Sequence, residues 1–66
     1  MIDDPDIFRA AKLLVDRHGS DAAVRAARRS DELQDYGDVV GAMLWREIVE
    51  AIGELQRGRR EGEAVN

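Results

Sequence analysis

At 66 residues, the chain is long enough for one small domain; with no cysteine and a single histidine, disulfides are excluded and a structural metal nearly so. A domain of this size buries only about 60% of the surface its unfolded chain exposes, so self-association or a well-packed helical core must supply the rest. The net charge of -4 is unevenly spread, with -2 over residues 1–16, +3 over 17–30 and -5 over 31–66. That flanking of a basic middle by acidic ends disfavours broad binding to nucleic acid or to an anionic membrane.

The acidic start Met1-Ile2-Asp3-Asp4-Pro5-Asp6 lacks the basic residues and apolar run of a secretory signal. No apolar stretch approaches the ~20 residues of a bilayer span, so the expected setting is cytoplasmic, with no membrane partner. Asp4 before Pro5 predicts an N-cap followed by proline at the first helical position. The helix this opens, about 5–18, carries an apolar stripe of Ile7, Phe8, Ala11, Leu14, Val15 and His18, with Arg9, Lys12 and Asp16 opposite. Gly19 is the expected stop.

A second helix, about 21–36, is predicted to start at a Ser20 or Asp21 cap and to stop at Gly37. Its inward face is read as Ala23, Ala26, Ala27 and Ser30, closed by Leu33 and Tyr36, and is small enough for close helix approach. Asp38 is the third N-cap, opening a helix of about 39–57 with Leu44, Trp45, Ile48, Ile52 and Leu55 inward. Arg46, Glu47, Glu50 and Glu54 form its wet side, with Arg46 and Glu50 spaced for an ion pair. Gly41 and Gly53 cost up to ~1 kcal/mol each in a helix interior, which suggests backbone proximity to the alanine face of the second helix. The expectation is an all-α, up-down-up three-helix bundle over residues 1–58, with a flexible, disordered tail over 59–66.

The runs Asp16-Arg17-His18-Gly19-Ser20-Asp21-Ala22-Ala23, Ala26-Ala27-Arg28-Arg29-Ser30-Asp31-Glu32-Leu33, Gly37-Asp38 and Trp45 to Gln56 resemble a family of short, uncharacterised helical proteins from alphaproteobacteria. The shared pattern reads RHG-x-DA, AA-x-R-x-DEL, GD-x-x-GA and W-x-x-I-x-x-AI-x-x-LQ, over roughly residues 8–57. The resemblance implies a helical fold and a bacterial cytoplasmic setting, and it implies no catalytic residues. The Gly37-Asp38 turn is also similar to the inter-helix turn of tetratricopeptide repeats, though no second copy follows at the ~34-residue period.

Little in the chain has the spacing of catalysis. His18 falls in a last helical turn, where an imidazolium favours the helix dipole, and no serine, cysteine or second base is placed to form a relay with it. Asp3, Asp4 and Asp6 read as a helix start, since a calcium loop needs more oxygens at fixed spacing. The sequence therefore predicts no enzyme, no cofactor and no metal. Arg25, Arg28 and Arg29 share one helical side and could grip carboxylates or phosphate, or could be a solvated surface.

Val39–Trp45 is uncharged around the whole helical circumference, and one bundle face cannot bury Val39, Met43 and Val49 together with Leu44, Ile48 and Ile52. The apolar surplus predicts a protein-binding module, an adaptor, regulator or inhibitor, whose partner is another protein or a second copy joined through helix 3. A second expectation is an acidic inhibitor of nucleic-acid-binding machinery carried by a mobile element, in which Glu47, Glu50 and Glu54, with Asp35 and Asp38, occupy a phosphate-binding surface on the target. The third is a helical DNA-binding domain, which those same acids on the recognition helix oppose.

Overall fold

The computed structural model describes Asp4–Val65, with side chains as far as Arg57. The chain is all-α: α1 is Pro5–His18, a 3-10 turn covers Gly19–Asp21, α2 is Ala22–Tyr36 and α3 is Val39–Val65. Among the described residues there is no strand. None of the described helices is long and apolar enough to cross a membrane.

α1 begins as its sequence dictates. Asp4 is extended, its Oδ1 accepts the Asp6 N–H at 2.9 Å, and its carbonyl accepts from the N–H groups of Ile7 and Phe8. Pro5 stands where an N–H would have no partner. The helix ends at Gly19, whose φ of 58° is left-handed and whose N–H returns to the Val15 carbonyl.

The passage into α2 differs from the expected cap. Asp21 has helical dihedrals and makes no capping side-chain bond, so the helical path runs on through the 3-10 turn. Pro5–Tyr36 thus forms one long bent arm. The sharp reversal comes at Gly37, with φ of 94°, where the Gly37 and Asp38 N–H groups bond back to the carbonyls of Gln34 and Leu33. Asp38 then caps α3 as predicted, its Oδ1 accepting the Gly41 N–H at 2.9 Å.

α3 lies against both limbs of the arm, while α1 and α2 touch each other much less. These contacts establish an all-α fold of a bent arm and a long helix; they do not establish the closed up-down-up bundle predicted from the sequence. The physical reason lies in the link: Gly19 ends α1, but the 3-10 turn passes directly into α2 with no side-chain cap, so the chain bends there. The expected end of the third helix also needs correction, because its backbone stays helical beyond Gly58 to Val65. Gly58 and Gly62 cost about 1 kcal/mol each in a helix, and the arginines, glutamates and alanine around them favour one. Asn66 lies outside the described residues.

The core consists of Ile7, Ala11 and Val15 from α1, Ala22 and Ala26 from α2, and Ile48, Ala51 and Ile52 from α3, with Phe8, Leu14, Trp45, Val49 and Leu55 packed at its edge. The stripe of α1 is as predicted. On α2 the small face turns by one position: Ala22, Ala26 and Ser30, at steps of four, are buried, whereas Ala27 is exposed and Ala23 only half-buried. Tyr36, expected to close the end of the core, is 90% exposed. Alanine contributes little apolar area, so Ile7, Val15, Ile48 and Ile52 provide most of the burial, at roughly 1.5–3 kcal/mol each.

Neither Gly41 nor Gly53 is required by the alanine face. A side chain at Gly41 would collide with Asp38, whose Cγ would stand 2.9 Å from the added carbon, so this glycine accommodates the cap of its own helix. At Gly53 the nearest atom within 4 Å is an Arg57 guanidinium nitrogen at 3.9 Å.

Candidate functional site

The groups with chemical potential are dispersed. His18 is half-buried in the last turn of α1, and Asp4 is engaged as a helix cap, while Asp3 lies outside the described residues. Among the described residues no group of three or more histidine, cysteine or acidic side chains is placed to hold a metal ion. Among the described residues Ser30 is the one buried polar side chain, and its hydroxyl is used structurally, donating to the Ala42 carbonyl at 2.9 Å.

The outward side of α3 has more to offer. Val39, Met43, Glu47, Glu50 and Glu54 follow one another at steps of four, four, three and four, which places them in one line along the helix. Val39 and Met43 are 60% and 58% exposed, and Val40 and Leu44 beside them are 80% and 46% exposed. Glu47 and Glu50 are exposed and Glu54 is half-buried. The apolar surplus and the acidic set, read from the sequence as rival surfaces, therefore occupy successive halves of a single face.

Two members of that picture were misread. Val49 is half-buried and packs against the core, so it does not belong to the strip. Leu44 was assigned inward because it continues the spacing of Ile48, Ile52 and Leu55, yet it is solvent-facing. The comparison with Ala51 explains why: the two are seven residues apart and share a side of α3, but Ala51 is fully buried. On this side of α3 the cover ends between them, although on the α2 side Ala42 is still buried; α1 and α3 share a crevice around Trp45 lined by Ala10, Leu13, Leu14 and Arg17. Only the uncharged circumference of 39–45 signals that Val40 and Leu44 could face water; spacing assigns Leu44 its side of α3 but not whether a neighbouring helix covers that side there.

The arginines stand apart from this face. Arg25, Arg28 and Arg29 are all exposed on α2, and Arg29 pairs with Glu32 at 3.3 Å, an ion pair too solvated to contribute much. Arg46 donates to the Gln34 side chain across the α2–α3 seam, so its described partner is not the expected Glu50. A shallow groove of about 500 Å³ lies on α3 itself, lined by Val49, Glu50, Gly53, Glu54 and Arg57, and two smaller ones lie between α3 and its neighbours. One, of about 300 Å³, lies against α2 and is lined by Ala27, Ser30, Asp31, Arg46, Val49 and Glu50; the other, of about 310 Å³, is the Trp45 crevice against α1. Both are at the small end of ligand pockets.

No family model, curated protein or solved structure matches this chain.

Proposed function

We propose that this chain acts by binding another protein, as a small adaptor, regulator or inhibitor, and that the outward face of α3 is its contact surface. One observation carries the reading: Val39, Val40, Met43 and Leu44 lie together and largely exposed at the start of α3, although burial of apolar side chains is what a domain with so few large core residues most needs. We place the protein in the cytoplasm of a bacterium, in keeping with its resemblance to short alphaproteobacterial helical proteins, and read it as working without catalysis, cofactor or metal. In solution we expect α1, α2 and α3 to behave as a small three-helix domain.

The second reading, an acidic inhibitor of nucleic-acid-binding machinery, is favoured by Glu47, Glu50 and Glu54 continuing the same line. The acids that support it also oppose direct binding to DNA through α3. A homodimer through the apolar strip is the remaining alternative. Co-purification of the tagged chain from its native host, beside a Val40→Ser/Met43→Ser variant, tests the proposal. An associated protein that is lost with the variant supports it; one retained equally by both moves the contact elsewhere. Sedimentation equilibrium of the parent decides the homodimer.

A further inference from the structure

We infer that the partner of the α3 face is a cationic amphipathic helix, one whose apolar side chains occupy one half of its contact stripe and whose lysines or arginines occupy the other. The inference rests on the proposal that α3 is the contact surface. The line Val39, Met43, Glu47, Glu50, Glu54, with Val40 and Leu44 on its flank, is apolar for its first turns and acidic for the rest. Arg46, three residues after Met43 and four before Glu50, borders the line and is drawn to the Gln34 side chain of α2, and Arg57 follows Glu54. The line runs for roughly 22 Å at 1.5 Å per residue, the length of a helix of about 15 residues. A helix laid on a helix reads such a line through its own positions three and four apart. An occupant with apolar anchors alone would leave three glutamates facing its polar end, and a basic one without anchors would leave Val40 and Met43 wet. An acidic occupant is repelled.

A second copy of this chain fits less well. Its own basic surface, Arg25, Arg28 and Arg29 on α2, is bordered by exposed Val24 and, beside Arg29, by Leu33 and exposed Tyr36, but it carries Asp31 and Asp35 on the same outward side, and Arg29 is already paired with Glu32. Pairing α3 with α3 side by side in parallel would instead set Glu47, Glu50 and Glu54 against themselves.

The probes are two labelled helical peptides of about 18 residues, sharing leucines over one half of a face and differing in whether lysine or glutamate fills the other half. Anisotropy titrations against the full chain should show binding of the lysine peptide, at least tenfold weaker binding of the glutamate peptide, and a loss of about tenfold when salt is raised from low to several hundred millimolar. A Glu47→Gln/Glu50→Gln/Glu54→Gln variant should lose the salt dependence and a Val40→Ser/Met43→Ser variant the remaining affinity, both keeping their helical circular dichroism. Equal affinity for the two peptides, or an unchanged triple variant, overturns the cationic partner while leaving the α3 face in place. Binding that survives the Val40/Met43 variant overturns both, and failure of the lysine peptide to bind at hundreds of micromolar overturns the inference.

Discussion

The Ser30 hydroxyl donates to the Ala42 carbonyl oxygen at 2.9 Å, a buried hydrogen bond that joins α2 to the first turns of α3. It fixes the two helices at the depth where both present a small residue. Ser30→Ala removes the bond, worth about 1 kcal/mol, but alanine regains about half of that through helix propensity. The expected net loss is therefore near 0.5 kcal/mol, a fall of roughly 2–4 °C in melting temperature. A rise on the same substitution would mean that the bond contributes less than the propensity gain.

Small size matters on only one side of α2. Ala26 has no exposed surface and Ala27, its neighbour in sequence, is exposed, although both read as inward from the sequence. Ala26→Leu should cost about 1–3 kcal/mol by forcing α2 from α3, whereas Ala27→Leu should stay within about 0.5 kcal/mol of the parent. Equal melting temperatures for the two variants would remove the packing described for this seam.

This difference indicates how far sequence reading can reach. Caps and stops are local, so Asp4, Pro5, Gly19, Gly37 and Asp38 announce themselves, and the stripe of α1 repeats often enough to fix its direction. An alanine-rich helix has no such contrast: Ala22, Ala23, Ala26 and Ala27 surround much of α2, and only the placement of α3 selects Ala22, Ala26 and Ser30. Leu44 and Val49 exchanged roles for a similar reason. Their spacing states which side of α3 they occupy, but where the covering helices stop depends on distant residues. The acidic and apolar parts of the candidate site were each legible, and their alignment follows from the steps between Val39, Met43, Glu47, Glu50 and Glu54 once α3 is a single continuous helix.

Gly41 and Gly53, both within α3, should respond differently to alanine. Gly53 has ordinary helical backbone and room for a methyl group, so Gly53→Ala should stabilise by up to about 1 kcal/mol. At Gly41 the methyl group meets the Asp38 carboxylate that caps the helix, and displacing it forfeits a cap worth about 1 kcal/mol. Gly41→Ala should therefore gain nothing or lose stability. Thermal melts of both variants, read against the parent, check the pair, and a larger gain at 41 than at 53 would contradict the cap.

A glutamate placed at Met43 and one placed at Val49 should separate binding from folding, because the two positions, both apolar and both on α3, differ in what surrounds them. Met43 is 58% exposed and in line with Glu47 and Glu50, so a carboxylate there meets water, two other carboxylates and, three residues on, the Arg46 side chain. Its like-charge repulsion is screened and amounts to a few tenths of a kcal/mol per pair. Val49 instead packs against the core from the edge of the α2 groove, with Ala27 and Ser30 across from it. Glutamate at that position either buries a charge beside apolar atoms or pulls away from the groove and gives up the valine contacts, and each route costs on the order of 1–3 kcal/mol. For a domain of this size, that is a drop of roughly 4 °C or more in melting temperature. Met43→Glu should melt within a few degrees of the parent while losing any partner bound through α3, and Val49→Glu should lose stability whether or not a partner is present. If both variants keep the parent's melting temperature, Val49 is not an edge of the core; if both unfold, the start of α3 is more deeply packed than its exposure indicates.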